Sequence, residues 1–203
     1  MKNDIEMLHI DKFYGDSKIL ENFSLKIPRN KITCIVGPSG CGKSTILNIL
    51  SGLTHQDNGE ITFIEESLIS YAFQEPRLLP WRNAKDNLKF VLKNKMNEAL
   101  IDSHVDYWLD SVELSDYKDY FPSQLSGGMM QRLSLARSFA FPSNLLLMDE
   151  PFKGLDAPLR HKMIALTRKL WQQENKTIVF VTHDIQEALL IGHRVIALGG
   201  KPT

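Results

Sequence analysis

The stretch Ile-Thr-Cys-Ile-Val-Gly-Pro-Ser-Gly-Cys-Gly-Lys-Ser-Thr, residues 32–45, decides the fold of this chain. Its first five residues are apolar or β-branched and predict a buried strand, and three glycines follow before a helical pattern begins. Glycine lets the backbone curl until successive N–H groups face inward, and the start of the next helix adds a positive partial charge. The stretch therefore predicts a concave binding site for phosphate groups.

The spacing GxxxxGK[ST] within this stretch is that of a P-loop. In that setting Lys43 can contact the β- and γ-phosphates of a nucleotide, and the Ser44 hydroxyl can ligate Mg²⁺. A glycine-rich turn with a surface lysine is the alternative interpretation, which the strand-loop-helix setting disfavours. The residues predicted to hold the nucleotide phosphates are Gly37, Pro38, Ser39, Gly40, Cys41, Gly42, Lys43, Ser44 and Thr45.

The rest of the chain alternates short apolar runs with helical patterns, which is typical of a parallel sheet flanked by helices. Residues 84–141 show no convincing strand and are predicted to form an inserted helical lobe. Two further runs near the N-terminus, Ile5–Ile10 and Ile19–Ile27, resemble two strands joined by a turn. Buried strands are predicted at Ile32–Val36, Leu145–Asp149, Thr177–Thr182 and Val195–Leu198.

Two adjacent carboxylates end one of these strands, in Leu-Leu-Leu-Met-Asp-Glu at residues 145–150. A P-loop needs an acidic partner for its metal, so Asp149 is predicted to hold Mg²⁺ and Glu150 to face the attacking water. Taken alone, the segment could equally be a buried strand with an acidic turn. Its pairing with the P-loop favours the catalytic interpretation.

A second anion-binding helix end is predicted in Leu-Ser-Gly-Gly-Met-Met-Gln-Arg, residues 125–132. Ser126, Gly127 and Gly128 precede a helical pattern, which places a hydroxyl and free N–H groups at a helix N-terminus. One nucleotide rarely needs two phosphate cradles within a single chain. We therefore expect the second one to serve the nucleotide of a partner chain.

With this segment the sequence resembles the ATP-binding subunits of ABC transporters, whose signature motif is LSGGxxQR. The resemblance covers essentially the whole chain, and the remaining motifs occur in the family's order. Gln74, in Tyr-Ala-Phe-Gln-Glu-Pro-Arg-Leu-Leu-Pro-Trp, matches the Q-loop, and residues 154–156 match the D-loop. His183 matches the switch histidine, and Tyr14 matches the aromatic residue that stacks on adenine, although Phe13 adjoins it.

The resemblance implies an α/β fold: a P-loop NTPase core with a mostly parallel sheet and the helical lobe at 84–141. One ABC ATPase domain spans residues 1–203. The small antiparallel β-arm is expected to be shortened, because Asn58–Tyr71 is brief compared with the family's arm.

The same resemblance implies an ATPase that works as a head-to-tail pair of subunits, most simply a homodimer. Two ATP molecules would be bound between the two copies. Lys43, Gln74, Glu150 and His183 would act in hydrolysis, and Ser44, Gln74 and Asp149 would hold Mg²⁺. The phrase QEPRLLPW is similar to importers of nitrate, sulfonate, taurine, bicarbonate or thiamine precursors. The implied partners are membrane permease subunits and, indirectly, a solute-binding protein, at the cytoplasmic face of the membrane.

Composition excludes other classes of protein. The 203 residues carry 24 Lys and Arg against 24 Asp and Glu, a balance that argues against binding nucleic acid through bulk charge. No apolar run approaches the ~20 residues that cross a bilayer, and no export signal is visible, so we expect a cytoplasmic location. Cys34 and Cys41 lack metal-site spacing and are predicted to be reduced thiols.

Two alternatives remain at this point. An ABC-type ATPase of DNA repair, translation or cluster assembly would have no membrane partner, but the coiled-coil insertions of the first and the double cassettes of the second are missing from this sequence. A non-hydrolysing ATP-binding scaffold would fit the short arm, yet all the catalytic positions are filled.

Overall fold

The computed structural model describes residues 4–63 and 68–200, and these form two compact units. The first unit takes in the described residues of 1–71, 144–150 and 175–203, and the second comprises 72–143 and 151–174. In chain order the elements are β1 (Ile5–Tyr14), β2 (Ser17–Ile27), β3 (Ile32–Val36), α1 (Lys43–Leu50), β4 (Asn58–Thr62), β5 (Ile69–Ala72), α2 (Ala84–Leu92), α3 (Glu98–Ser111), α4 (Gly127–Ala140), β6 (Leu145–Asp149), α5 (Ala157–Glu174), β7 (Thr177–Thr182), α6 (Ile185–Ile191) and β8 (Arg194–Ala197).

A five-stranded sheet in the order β5-β6-β7-β3-β8 forms the centre of the first unit. Strands β6, β7, β3 and β8 pair in parallel, so their carboxyl ends share one edge of the sheet. Every residue of β3 and β7 is buried, as expected for strands covered on both faces. Three of the four predicted strands have the predicted bounds, and β8 begins and ends one residue earlier than predicted. The predicted α/β class with a mostly parallel sheet is confirmed.

A three-stranded antiparallel sheet, β2-β1-β4, completes the first unit. Inward-facing residues of β1, such as Ile5, Met7 and Ile10, pack in one apolar core with Ile46 and Leu47 of α1. The segment predicted as a short β-arm divides between the two sheets: its first strand, β4, pairs with β1, and its last, β5, lies at the edge of the larger sheet beside β6. Residues 64–67 of that segment lie outside the described residues.

The second unit is helical, with α2, α3 and α4 from the segment predicted as a helical lobe and, in addition, α5. Its core is built around Trp108 of α3 and Phe139 of α4, both fully buried, whose ring centroids lie 6.0 Å apart. Asn83, Asn97 and Ser126 each cap the helix that follows by accepting a hydrogen bond from a backbone N–H. None of the helices in the described residues is both long and apolar enough to cross a bilayer.

Candidate nucleotide-binding site

The glycine-rich loop after β3 is held in a closely packed conformation. Gly42 adopts a left-handed backbone with φ +102°, and a Cβ there would lie 3.1 Å from Leu20 Cδ2. At Gly37 a Cβ would lie 2.8 Å from the Cys41 Sγ atom and 3.0 Å from the Leu198 carbonyl oxygen. Gly37 is therefore required chiefly for reasons of space, and Gly42 chiefly for its backbone conformation.

Lys43 begins α1, directly after this loop, and its side chain is folded back onto the loop. Its Nζ atom donates to the carbonyl oxygens of Gly37 at 2.7 Å and Pro38 at 2.9 Å. The residue is buried, so these two carbonyls supply the polar partners that a desolvated ammonium group needs. The cation is thereby held beside the loop whose N–H groups are predicted to meet phosphate.

Ser44 and Asp149 meet at the carboxyl edge of the sheet. The Ser44 hydroxyl lies 3.3 Å from Asp149 Oδ1, and the Tyr71 hydroxyl lies 3.3 Å from Asp149 Oδ2. Burial raises the pKa of the Asp149 carboxyl, and the hydrogen bonds from Ser44 and Tyr71 oppose that rise. The Tyr71 contact was not predicted, because Tyr71 lies 78 positions from Asp149 and the Q-loop motif that it precedes does not indicate a contact with that strand end.

The chemistry of this pair fits Mg²⁺. A hydroxyl and a carboxylate are the hard oxygen donors that Mg²⁺ prefers, and the ion commonly takes one or two carboxylates with waters and substrate phosphates as its other ligands. No group of three or more His, Cys, Asp or Glu side chains among residues 4–63 and 68–200 forms an all-protein cage. A buried carboxyl with a raised pKa is also a group that a bound cation would favour in its ionised form.

Glu150 and His183 form a second contact at the same edge. Glu150 has φ +43°, a conformation that costs a non-glycine residue roughly 1–3 kcal/mol, and its N–H donates to the Val181 carbonyl at 2.9 Å. This bond to β7 fixes the backbone just where β6 ends. The Glu150 Oε2 atom lies 3.2 Å from His183 Nδ1, with the carboxylate side chain 12% exposed and the imidazole 51% exposed.

The residues that flank His183 fix its position. The Thr182 hydroxyl, at the end of β7, donates to the buried Glu187 carboxylate at 2.6 Å and accepts from the Asp184 N–H at 3.0 Å. Asp184 in turn caps α6 by accepting from Gln186 N at 2.8 Å. The histidine is thus the one residue between a buried strand end and a capped helix start.

Tyr14 ends β1 with its ring half exposed. The Lys12 Nζ atom lies 5.5 Å from the Tyr14 ring centroid and 3.0 Å from Asp57 Oδ1. The neighbouring Phe13 ring is also exposed, and the Lys18 Nζ atom lies 5.5 Å from its centroid. Two exposed aromatic rings at the end of this strand could therefore stack on an adenine base.

The remaining predicted residues lie in the second unit. Ser126 caps α4 by accepting from Met129 N at 3.3 Å, and Gly127 and Gly128 form the first turn. A Cβ at Gly128 would lie 3.1 Å from Leu159 Cδ2, whereas Gly127 faces open space. Gln74 is exposed, and its carbonyl oxygen accepts from Gln131 Nε2 at 3.4 Å. The Gln131 contact was not predicted, since nothing local in the sequence indicates it.

Comparison with known proteins agrees with this geometry. The sequence model of the family described as "ABC transporter" matches residues 20–153. The aliphatic sulfonates import ATP-binding protein SsuB of Mycobacterium avium (strain 104) is 40% identical over 194 residues, covering 95% of this chain and 76% of that protein. The taurine import ATP-binding protein TauB of Ruegeria pomeroyi is 40% identical over 193 residues, covering 90% of this chain and 71% of its own.

Solved structures show the same fold. The dimeric structure of MJ0796, a bacterial ABC transporter cassette, superposes with a TM-score of 0.82 at 32% identity, covering 96% of this chain and 94% of that one. The structure of MJ0796 in a post-hydrolysis state bound to ADP and Pi superposes with a TM-score of 0.82 at 30% identity, covering 97% and 96%.

The parallel sheet with its glycine-rich loop and acidic strand end defines a P-loop nucleotide-binding ATPase. More particularly, the chain belongs to the ABC transporter family, as an ATP-hydrolysing cassette. The family resemblance expected from the sequence is confirmed.

Proposed function

We propose that this cassette hydrolyses ATP to drive an importer of a small organic anion, with an alkanesulfonate or taurine as the favoured substrate class. The ATPase part rests on two side-chain contacts beside the glycine-rich loop that holds Lys43. Ser44 contacts Asp149, and Glu150 contacts His183, at the carboxyl edge of the parallel sheet. The substrate class is supported by two relatives, an aliphatic sulfonates import protein and a taurine import protein, each 40% identical to this chain.

The residues of the first unit would bind the nucleotide as follows. The loop amides of residues 37–42 and the Lys43 ammonium would surround the phosphates, with Lys43 exchanging its two loop carbonyls for phosphate oxygens. Ser44 and Asp149 would hold Mg²⁺, which neutralises phosphate charge when bound. Gln74 is proposed as a further metal and water ligand, and Tyr14 as the ring beneath the adenine.

Glu150 and His183 would act on the attacking water and the γ-phosphate. A carboxylate that is largely buried and tethered by its own backbone N–H is well placed to orient a water molecule and accept its proton. His183, with its Nδ1 atom 3.2 Å from Glu150, would present its other ring nitrogen to the γ-phosphate. Glu150, after β6, would thus act on the water, and His183, after β7, would act on the γ-phosphate.

A second copy of the chain is proposed to complete each site. Ser126, Gly127 and Gly128 form a capped helix start, where the first N–H groups have no acceptor in a preceding helical turn, and such an end suits the phosphates of a partner's nucleotide. The dimeric arrangement of the MJ0796 cassette supports such a pair. We propose a homodimer held at the cytoplasmic face of the membrane by permease subunits, with a solute-binding protein acting indirectly and no role for nucleic acid.

The permease is proposed to contact the segment that follows Gln74. Within it, Trp81 is 70% exposed, and its ring offers a large apolar surface that a partner could cover. Leu78 and Leu79 lie beside it, half buried.

Glu150→Gln tests the catalytic assignment. This isosteric change keeps the contact with His183 but removes the base, and loss of a general base costs roughly 10²–10⁴-fold in turnover. We expect ATP binding, measured by equilibrium dialysis, to stay within about twofold of wild type while phosphate release falls by that factor. Glu174→Gln, at the exposed end of α5, is the matched control and should leave both unchanged. Wild-type turnover in Glu150→Gln would remove Glu150 from this role.

Uptake by membrane vesicles tests the transport assignment. Vesicles that contain the permease and wild-type cassette, supplied with the solute-binding protein, should accumulate labelled taurine or an alkanesulfonate only with ATP, and vesicles with Glu150→Gln should not. Accumulation of nitrate in place of either sulfonate would reassign the substrate. Absence of ATP-dependent uptake for every anion, with ATPase activity intact, would overturn the importer assignment.

A further inference from the structure

A cavity of about 650 Å³ lies within the second unit, where the end of α3, the start of α4 and one face of α5 meet. This volume is within the usual range of small-molecule sites, about 300–1,000 Å³. The apolar stripe of α5, at Leu159, Met163 and Leu166, lines one side of the cavity. Val112, after α3, and Met129 of α4 also line it. The three helices therefore leave part of their apolar faces uncovered by one another.

The cavity has an apolar floor and a charged rim. Val112 and Met163 are almost completely buried, whereas Lys162 and Lys169 are exposed. The two lysines lie seven residues apart on α5, which is two helical turns on the same face and about 10 Å along the axis. Neither lysine forms an ion pair with a carboxylate of residues 4–63 or 68–200. Both ammonium groups can therefore turn toward a ligand in the cavity.

The lining of the cavity is positively charged, although the whole chain has no net charge. Among the described residues that line it, the two lysines and Arg132 stand against the carboxylate of Glu113. Arg132 already has partners, because its Nη1 atom donates to the Val112 carbonyl at 2.8 Å and lies 3.1 Å from the Glu113 carboxylate. The lysines thus carry the uncompensated charge, and the positive end of the α4 dipole at Ser126 adds to it.

We propose that this cavity binds an organic anion that carries an alkyl chain. The anionic head would lie between Lys162 and Lys169, and the chain would cover Met129, Met163 and Leu166. A bare inorganic anion would leave the apolar floor exposed, and a neutral or cationic chain would leave the lysine charges without a counter-ion. Two sources supply this chemistry, an alkanesulfonate and a fatty carboxylate.

A bound anion is expected to compete with closure of two copies over ATP, an effect that rests on the proposed function. Ser126 and Gly128 line the cavity and also belong to the helix start proposed to meet a partner's nucleotide. This helix start packs against the cavity wall, since a Cβ at Gly128 would lie 3.1 Å from Leu159 Cδ2. A negative charge in the cavity would repel the partner's phosphates. The ligand should therefore slow hydrolysis without weakening ATP binding to a single chain.

Calorimetric titration of the nucleotide-free chain tests the site independently of hydrolysis. The two probes are 1-octanesulfonate and octanoate, and the one that binds more tightly identifies the source. Octanol and octyltrimethylammonium carry the same chain without the negative charge, and sulfate carries the charge without the chain. We expect the better anion to bind at least about tenfold more tightly than any of these three, a difference of about 1.4 kcal/mol.

Two variants test the two halves of the site. Lys162→Gln combined with Lys169→Gln should weaken binding of the better anion at least about fivefold, because its head loses two charged partners. Ala165→Trp, at an exposed position of the lining, should fill the cavity and abolish binding although both lysines remain. Lys93→Gln with Lys118→Gln is the matched control, since both lysines are exposed, lie in the same unit and are not among the residues that line the cavity.

The outcomes separate the binding site from its effect on hydrolysis. Absence of binding by both anions, equal affinity for octanol, or unchanged affinity in either test variant would overturn the site. At saturating ATP, the better anion should lower wild-type turnover at least about fivefold and leave that of Ala165→Trp unchanged. Tight binding with undiminished turnover would overturn the competition and uphold the site. A chain without ATPase activity would overturn the proposed function, and the titration would still decide whether the cavity binds the anion.

Discussion

Replacement of Asn87 by aspartate is expected to lower the free energy of unfolding by about 3–5 kcal/mol, although it exchanges only an NH₂ group for an oxygen. The Asn87 Nδ2 atom donates to the carbonyls of Leu79, Arg82 and Asn83 at 3.2, 3.0 and 3.0 Å in a fully buried site. An NH₂ group has two protons, so these contacts amount to two hydrogen bonds of about 1 kcal/mol each. Leaving a buried oxygen among carbonyls adds about 1–3 kcal/mol. The new carboxylate would also be attracted to the Arg137 guanidinium, which lies 3.5 Å from the Asn87 Oδ1 atom, but the cost of desolvating a buried charge offsets that attraction.

Urea unfolding followed by circular dichroism measures this loss, with Asn97→Asp as the matched control. Asn97 caps α3 at an exposed position and only accepts a hydrogen bond, from Ala99 N at 3.0 Å, so a carboxylate serves there equally well. We expect the control to stay within about 0.5 kcal/mol of wild type. The loss in Asn87→Asp should shrink at low pH, because a protonated carboxyl regains one donor. Equal stability of the two variants would refute the role given to the Asn87 amide protons.

Three further predictions concern the first unit. Asp149→Asn is expected to raise the melting temperature of the nucleotide-free protein at pH 7. Burial raises the pKa of the Asp149 carboxyl in the folded state, so its ionisation opposes folding above that pKa. The gain in melting temperature should vanish as the pH falls below the ordinary pKa of Asp. Thermal scans at several pH values check this, and a lower melting temperature at pH 7 would contradict it. Gly59→Ala should lower the free energy of unfolding by several kcal/mol, because a Cβ there would lie 2.5 Å from two carbonyl oxygens of β1. Gly52 also has a left-handed backbone but faces open space, so Gly52→Ala should lower it by only about 1 kcal/mol. Equal losses for the two variants in urea unfolding would refute this reasoning. Burial raises the pKa of the Cys34 thiol to about 12. The thiol should therefore resist iodoacetamide at pH 8 in the native protein and react once urea unfolds the chain. Rapid labelling of the native protein would contradict this burial.

The parts of the site that lie in consecutive residues could be predicted from the sequence. Residues 37–45 carry loop, cation and hydroxyl in one stretch, and the strand that ends at Asp149 is visible as an apolar run with two carboxylates. Such patterns are readable because the local backbone brings these groups together, whatever the rest of the fold does.

The parts that depend on long-range pairing could not be predicted. The Tyr71 contact with Asp149 and the Arg137 contact with Pro76 join residues 78 and 61 positions apart, and no local pattern encodes either. The division of the predicted β-arm arises in the same way, because edge pairing of β5 with the larger sheet is decided by tertiary packing and not by strand propensity. The left-handed backbone of Glu150 likewise follows from its bond to Val181 on the neighbouring strand.

The claim on which the function depends is that two copies close over ATP, each giving its helix start at Ser126 to the other's loop. Light scattering of Glu150→Gln measures this directly. With saturating Mg²⁺-ATP we expect twice the mass of the single chain, and with ADP the mass of one chain. Adding Ser126→Arg should keep ATP binding but return the mass to that of one chain. A single-chain mass for ATP-saturated Glu150→Gln, or a dimer that Ser126→Arg leaves intact, would contradict closure of two copies over ATP through Ser126.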